Sequence, residues 1–224
     1  MNGELRLVED VPDAFAELLI EEHAARVTPV FSIALSGGST AGRCYEALAT
    51  RANGDLWPSL ELFWGDERCV PFDDVDSNYR LAADSLGPGF TSVRSVHPMN
   101  CSHGAEQYNT LIANSRPIDL VHLGLGPDGH TASLFSESSA LAATGSFVVL
   151  NDDPTGRNPY RRMTLTFRAI QRASTVIVTV EGSSKREALR RVMDGDLSAP
   201  AASIKSRRLI WLVDEAALGS RQPR

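Results

Sequence analysis

The sequence predicts an α/β fold in which a doubly wound, mostly parallel sheet carries helices on both faces. Apolar runs of strand length alternate with amphipathic stretches of helix length along the chain. Such alternation is typical of parallel strands joined by right-handed helical crossovers. A length of 224 residues and an apolar content of 42% suffice for one sizeable core but not for two. We therefore expect a single domain that spans residues 1–224.

The predicted strands are apolar runs bounded by charged or turn-forming residues. They lie at 30–35, 60–64, 119–125, 147–150, 162–166, 175–180 and 209–213. The predicted helices lie at 10–27, 41–51, 77–86, 104–114 and 184–193. The first helix has Asp10 as a candidate N-cap and Pro12 in its first turn, with Phe15 and Leu18 on one side. The stretch 151–159, rich in Pro, Gly and Asn, is predicted to be a surface loop because strand-like sequence resumes on both sides.

Charge and composition exclude several classes of partner. A formal net charge of −6 argues against nucleic acid, since nucleic-acid-binding domains usually carry a basic stripe. No apolar run approaches the roughly 18 residues that cross a bilayer, and no signal-peptide pattern opens the chain, so no membrane contact is expected. Cys44, Cys69 and Cys101 are odd in number and scattered, which predicts reduced thiols without a disulfide framework. We expect a soluble, cytoplasmic protein.

A glycine-rich loop follows the strand at 30–35 and precedes a helix. The loop consists of Ser36, Gly37, Gly38, Ser39 and Thr40. Backbone N–H groups and hydroxyls that converge at a helix N-terminus favour an oxyanion such as phosphate. The alternative is a plain turn in which Ser39 or Thr40 caps the helix.

Two cations near predicted helix starts strengthen the phosphate hypothesis. Ser184 and Glu187 have the spacing of a capping box, which predicts Lys185 in the first helical turn. Arg43 occupies a similar early position after Thr40. The helix dipole disfavours cations at this end, and a bound phosphate would account for both. The alternative is an exposed side chain at a cost of about 0.3–1 kcal/mol. Of the two, Lys185 is favoured as the direct ligand.

Charged residues also follow the strand at 60–64. Arg68 offers a fork of donors to a phosphate, a sugar hydroxyl or a developing oxyanion, and Asp66 can orient hydroxyls or a water molecule. The alternative is a local ion-pair cluster of Asp66, Glu67 and Arg68 without chemistry. That alternative is most plausible for Glu67.

The segment 123–135 has the composition of an active-site loop. Asp128 and His130 come directly after an apolar strand, where open α/β sheets bind ligands, and histidine is the residue type most often used for acid–base catalysis. Gly124, Gly126 and Gly129 match a dinucleotide fingerprint. Pro127, the charge of Asp128 and the lack of an acid about 20 residues downstream argue against NAD, so no cofactor is expected.

A looser cluster of His97, Cys101 and His103 could mimic a metal site. Its spacing matches no zinc pattern, so these residues are interpreted as loop residues and no metal is expected.

Four segments together closely resemble the 6-phosphogluconolactonase family. They are 34–40, 64–68, 77–79 and 124–135, and the resemblance continues through 163–166, Lys185 and 200–203 in the order of the family. The family usually has proline where this chain has Ala41 and Ser136. Neither difference removes a chemical group, so only altered loop rigidity is expected.

The resemblance implies hydrolysis of 6-phospho-D-glucono-1,5-lactone to 6-phosphogluconate. A single base suffices for this reaction, and His130 is the candidate that takes a proton from water and returns it to the ring oxygen. Asp128 or Asp66 would orient the imidazole or the water, and Arg68 would stabilise the oxyanion or hold the substrate. The glycine-rich loop and Lys185 would hold the phosphate. The expected partner is this small lactone, bound by a monomer or small homo-oligomer.

Two other functions compete with this interpretation. The related glucosamine-6-phosphate isomerase/deaminase family typically has Tyr at the position of Arg68 and a functional Glu at the position of Phe135. Without that carboxylate its ring-opening relay lacks a member. A non-catalytic sugar-phosphate sensor would not need His130, and this chain has no helix-turn-helix segment or basic extension.

Overall fold

Two sheets organise the computed structural model, which describes residues 1–52 and 54–219. The strands are β1 Glu4–Leu7, β2 Phe31–Leu35, β3 Leu60–Trp64, β4 Asp66–Arg68, β5 Ser95–Val96, β6 Leu120–Gly124, β7 Val148–Asn151, β8 Arg162–Leu165, β9 Thr175–Val180 and β10 Arg208–Val213. Seven of them form a sheet in the order β1-β10-β9-β6-β2-β3-β5, and every pairing in it is parallel. The predicted parallel, doubly wound α/β fold is confirmed.

Helices fill the connections between these strands. They are α1 Val11–Ala24, α2 Ser39–Arg51, α3 Asn78–Leu86, α4 Pro88–Ser92, α5 Glu106–Asn114, α6 Phe167–Arg172, α7 Arg186–Met193 and α8 Glu215–Leu218. The predicted N-cap of α1 is confirmed, because the Asp10 carboxylate accepts a hydrogen bond from the Asp13 N–H at 2.8 Å. All five predicted helices are present, although α1 ends at Ala24 instead of residue 27.

The hydrophobic core surrounds the parallel sheet. Every residue of β2 and of β9 is buried, so both faces of the sheet are covered. Strands of this kind read as continuous apolar runs, which explains why their sequences predicted them well. Helix α1 contributes Phe15 and Leu19 to this core and packs against α2 and against β9 and β10.

A second, antiparallel sheet departs from the prediction. Its order is β4-β8-β7, so the predicted strands at 147–150 and 162–166 do not join the parallel sheet. Residues 66–68, predicted to be loop, form its edge strand β4. The chain changes sheets at Gly65, whose N–H donates to Leu35 O at 2.7 Å and whose carbonyl accepts from Leu165 N at 2.8 Å. The charged residues that follow β3 are therefore held on a paired strand.

The expectation of reduced cysteines without a disulfide was wrong. Cys69 and Cys101 form a disulfide with their Cα atoms 5.3 Å apart, while Cys44 is free and buried. The two bonded residues are 32 positions apart in sequence, and only the exit of β4 beside the turn at 101–103 brings them together. Among the described residues, no helix is long and apolar enough to cross a membrane.

Candidate active site

A cavity of about 240 Å³ opens at the carboxyl ends of four adjacent parallel strands, β9, β6, β2 and β3. This edge is where open α/β sheets bind ligands. The glycine-rich loop, the Asp128–His130 loop, β4 and the turn at 183–185 all reach it. The cavity is lined by Ser36, Gly37, Gly38, Asp66, Arg68, Asn78, Gly124, Leu125, Gly126, Pro127, His130, Ala132, Ser133, Phe135, Asn158, Arg162 and Lys185.

His130 and Asp128 form a hydrogen-bonded pair at this cavity. The His130 Nδ1 atom lies 2.5 Å from Asp128 Oδ1, which leaves Nε2 as the ring nitrogen available to a ligand. Burial alone would raise the pKa of Asp128, but hydrogen bonds from the His130 ring and backbone outweigh it and lower the pKa to about 2. An ionised carboxylate at Nδ1 fixes the ring orientation and stabilises an imidazolium, as an acid–base histidine requires.

Glycines determine how this loop presents His130. A Cβ at Gly126 would lie 2.2 Å from His130 Nδ1, and Gly129 has φ 92° with its Cα facing Ala199. The Gly126 N–H donates to His130 O at 2.8 Å, so the loop closes on itself. Turns follow instead of the helix that a dinucleotide fingerprint would open. The Phe135 ring lies against His130, with 5.0 Å between the ring centroids.

The glycine-rich loop enters α2 without a side-chain cap. Gly38 is the N-cap residue with φ 93°, and neither Ser39 nor Thr40 caps the helix, which removes the plain-turn alternative in its predicted form. Ser36, Gly37 and Gly38 line the cavity, whereas Ser39 and Thr40 lie in the first turn of α2 outside that lining. The first N–H groups of an α-helix have no partner within the helix, which makes this loop suited to an anion.

A network of buried hydrogen bonds fixes the glycine-rich loop on the side that faces the core. The Ser36 N–H donates to Tyr45 Oη at 2.7 Å, and Tyr45 Oη lies 3.0 Å from His122 Nδ1. His122 Nε2 lies 3.0 Å from Thr179 Oγ1 on β9. Complete burial lowers the pKa of His122 to about 3, so this histidine is neutral. His122 therefore has a positioning role that its apolar sequence surroundings did not reveal.

Lys185 lines the cavity, but not by the predicted local structure. It ends a 3-10 turn at Ser183–Lys185 and is the N-cap residue of α7, with no side-chain cap, so the predicted capping box of Ser184 and Glu187 is wrong. Gly182, at φ 88°, starts that turn, and its N–H donates to the Asp214 carboxylate at 3.0 Å. Burial lowers the pKa of the Lys185 ammonium, and the nearby charge of Asp128 opposes this effect.

Arg43 is directed elsewhere. Its guanidinium forms a bidentate ion pair with Glu181, and it is not among the residues that line the cavity. The start of α2 thus has a carboxylate partner for its cation without any bound phosphate. A phosphate-binding role for Arg43 stays a prediction, and it would require this ion pair to open.

The charged residues of β4 have three separate roles instead of forming an ion-pair cluster. Glu67 is buried and accepts hydrogen bonds from the N–H groups of Asn78 and Tyr79, at 2.7 and 2.8 Å, so it caps α3. Burial raises its pKa, and these N–H donors oppose the rise. Asp66 accepts from Ser133 Oγ at 2.6 Å, and Arg68 donates through Nη1 to Asp76 O at 2.6 Å.

Two residues of the cavity lining, Arg162 on β8 and Asn78 on α3, were not predicted from the sequence as site residues. Arg162 pairs directly opposite Arg68 in the β4–β8 register and is 6% exposed. In the described part of the chain, Arg162 Nε, Arg68 Nε and Asn78 Oδ1 are buried without a hydrogen-bond partner. The sequence contained one indication for Arg162, since a charged residue at the first position of a mainly apolar strand is unusual. No group of three or more His, Cys, Asp or Glu side chains within residues 1–52 and 54–219 is arranged to hold a metal ion.

Comparison with known proteins identifies the family to which a chain with this fold and cavity belongs. A family model described as glucosamine-6-phosphate isomerases/6-phosphogluconolactonase matches residues 6–211. The chain belongs to this family. A 6-phosphogluconolactonase of Nostoc is 37% identical over 205 residues, covering 84% of this chain and 83% of that protein. One from Mycobacterium tuberculosis is 36% identical over 207 residues, covering 83% of each chain.

The chain is also similar to one much longer protein and to solved structures of lower sequence identity. The human GDH/6PGL endoplasmic bifunctional protein is 38% identical over 210 residues, and the chain spans 26% of its length. The 6-phosphogluconolactonase structure from Thermotoga maritima has a TM-score of 0.80 and 27% identity, covering 95% of this chain and 100% of that one. The one from Leishmania guyanensis, at 24% identity and full coverage of both chains, has a TM-score of 0.86 and supports the fold.

Proposed function

We propose that this chain is a hydrolase that opens 6-phospho-D-glucono-1,5-lactone to 6-phospho-D-gluconate. The observation that carries the proposal is the His130–Asp128 pair at a cavity that also holds the glycine-rich loop and Lys185. A base and an anion-binding loop in one cavity match a substrate that has both a reactive lactone and a phosphate. The family membership supports the same reaction.

His130 acts as the base and then as the acid. Its Nε2 atom takes a proton from a water molecule whose oxygen attacks the lactone carbonyl carbon, which forms a tetrahedral oxyanion. The bond from this carbon to the ring oxygen then breaks, and His130 returns the proton to the ring oxygen, which becomes a hydroxyl. The new carboxylic acid releases its proton to solvent. Asp128 stabilises the imidazolium between the two transfers, since its carboxylate holds Nδ1.

The remaining cavity residues position the substrate. The N–H groups of Gly37 and Gly38 and the ammonium of Lys185 hold the phosphate in this proposal. The Ser36 N–H is bonded to Tyr45 Oη, so Ser36 contributes through its hydroxyl. Arg68 stabilises the oxyanion or holds the substrate. Asp66 is already fixed by Ser133, so it acts on substrate hydroxyls or water through its remaining lone pairs.

Phe135 separates this reaction from the deaminase alternative. The side chain is 2% exposed and packs edge-on against His130. The deaminase interpretation needs a carboxylate at this position, and an apolar ring cannot transfer a proton. The location in the cytoplasm and the monomeric or small oligomeric state stay predictions.

Replacement of His130 tests the proposed reaction. We expect His130→Ala to lower kcat about 10²–10⁴-fold, because general acid–base catalysis contributes roughly that factor. The measurement is acid release from freshly prepared lactone, corrected for spontaneous hydrolysis. His103→Ala, at an exposed histidine, is the control and should keep full activity. Wild-type activity in His130→Ala would refute the base assignment, and ammonia release from glucosamine 6-phosphate would support the deaminase instead.

Replacement of Lys185 tests the phosphate assignment. Lys185→Ala should raise KM and leave kcat much less affected, because phosphate contacts are the same in the ground state and the transition state. Lys205→Ala is the matched control, since that lysine is exposed and away from the cavity. An equal KM in both variants would show that Lys185 does not bind the substrate.

A further inference from the structure

Two arginines face each other across the small antiparallel sheet. Arg68 on β4 and Arg162 on β8 are directly opposite in register, and such cross-strand neighbours have Cβ atoms about 4.5–5.5 Å apart. Like charges at this separation destabilise a strand pair. Both residues line the cavity, and Arg162 is 6% exposed. Burying two neighbouring guanidinium groups costs free energy, because both lose water and they repel each other. A bound anion would offset this cost.

The carboxylates near this pair do not neutralise it by contact. Within the described ranges neither Arg68 nor Arg162 forms a salt bridge, although Asp66, Glu67 and Asp76 are close enough to attract Arg162. Glu67 caps α3, and Asp66 accepts from Ser133. Tyr160 Oη donates to Asp76 Oδ2 at 2.6 Å, so all three carboxylates accept hydrogen bonds from other donors.

The unpartnered atoms show which groups remain available. The Nε atoms of Arg68 and Arg162 and the Oδ1 atom of Asn78 are buried and make no hydrogen bond within the described residues. All three residues belong to the cavity wall. A buried N–H donor without a partner costs about 1–3 kcal/mol, so two of them at one cavity indicate an acceptor from a ligand.

We propose that Arg162 is a ligand-binding residue that, together with Arg68, holds an oxyanion of the bound sugar acid. The proposal rests on the proposed function, which supplies a ligand with a phosphate at one end and, after ring opening, a carboxylate at the other. Both groups are oxyanions that accept the forked donors of a guanidinium. Asn78 Oδ1, which lies against Gly37 in the same cavity wall, adds an acceptor for a sugar hydroxyl.

Direct binding to two sugar phosphates tests the proposal. 6-Phospho-D-gluconate and D-glucitol 6-phosphate differ only at C1, which carries a carboxylate in the first and a hydroxymethyl group in the second. Dissociation constants are measured by titration calorimetry for wild type, Arg162→Gln and the control Arg161→Gln, whose arginine is exposed. We expect Arg162→Gln to weaken binding of 6-phospho-D-gluconate about 10–100-fold, as loss of a charge-assisted hydrogen bond does.

The second ligand identifies the oxyanion. Equal weakening for both ligands shows that Arg162 binds the phosphate, whereas weakening for 6-phospho-D-gluconate alone shows that it binds the carboxylate. Affinity for both ligands equal to that of wild type, in a variant with a native circular dichroism spectrum, overturns the proposal.

A conservative variant covers the case in which Arg162→Gln does not fold. Arg162→Lys keeps the charge but loses the fork, so we expect folding with severalfold weaker binding. Unchanged affinity in Arg162→Lys overturns the proposal in that case. Failure of the proposed function would look different, because wild type itself would then neither bind 6-phospho-D-gluconate nor hydrolyse the lactone.

Discussion

Acidification from pH 7 to pH 5 should destabilise this protein through His122, the neutral histidine beneath the glycine-rich loop. Its ring is fully buried in β6, packs 4.1 Å from the Phe15 ring between centroids, and lies within hydrogen-bond distance of Tyr45 and Thr179. Burial in this environment lowers the pKa of His122 to about 3. Protonation of the folded state is therefore strongly disfavoured.

The magnitude follows from the difference between the folded and unfolded pKa values. The unfolded histidine titrates near 6.5, so between pH 6.5 and pH 3 the unfolded chain binds more protons than the folded one. The free energy of unfolding then falls as the pH falls. The full difference of 3.5 units corresponds to about 5 kcal/mol, of which about 2 kcal/mol is lost by pH 5. His23, whose pKa burial also lowers, adds to the loss in the same direction.

Urea unfolding at pH 7, 6 and 5 measures this effect. His122→Gln keeps a donor and an acceptor but does not titrate, so its stability should fall by about 2 kcal/mol less than that of wild type over this range. His103→Gln, which replaces an exposed histidine, should follow the wild-type curve. Equal losses in wild type and His122→Gln would refute the reasoning, whatever the absolute stability of the variant.

Three further outcomes are expected. Reduction of the Cys69–Cys101 disulfide, which spans 32 residues, should lower the free energy of unfolding by up to about 4 kcal/mol in the chain-entropy account, and urea unfolding with and without reductant measures it. Tyr45→Phe removes the acceptor of the Ser36 N–H; it should cost about 1–3 kcal/mol and raise KM with little change in kcat, and a normal KM would contradict the positioning role. Asp128→Asn should lower kcat by up to about 10⁴-fold with KM retained, and steady-state rates near wild type would contradict its role at Nδ1.

The parallel sheet was predictable because its strands are buried on both faces. Such strands read as uninterrupted apolar runs, and the bounds of β3 and β9 agree with the sequence prediction to the residue. The elements that were not predicted, β1, β4, β5, α4, α6 and α8, have two to six residues each. Segments of this length contain too few positions for a hydrophobic period to show.

Long-range pairing accounts for the other errors. The segment at 162–166 was correctly predicted as a strand, but nothing local indicated that it would pair antiparallel with residues 66–68. The same pairing brings Arg162 to the cavity. Likewise, the Cys69–Cys101 bond and the Arg43–Glu181 ion pair join positions 32 and 138 residues apart. Their sequence surroundings carry no information about these partners.

The candidate site was more predictable than these contacts, because a parallel sheet gathers the carboxyl ends of its strands at one edge. That rule brought Lys185, His130, Gly38 and Arg68 to one cavity, although the capping box predicted at Lys185 does not form. Asp128 was placed beside His130 by sequence proximity and lies there in the structure. What each of these residues contributes to the reaction stays a prediction.

Strand order adds a constraint that local sequence does not contain. Along the sheet edge β9-β6-β2-β3, Lys185 follows β9, His130 follows β6, the glycine-rich loop follows β2, and Arg68 follows β3. With adjacent strands about 4.8 Å apart, β9 and β3, the strands that precede Lys185 and Arg68 in the chain, are separated by about 14 Å. His130 therefore stands between two cationic sides of the cavity. A ligand that fits this order places its reacting carbon beside His130 and an oxyanion toward a cation, as an extended sugar phosphate can.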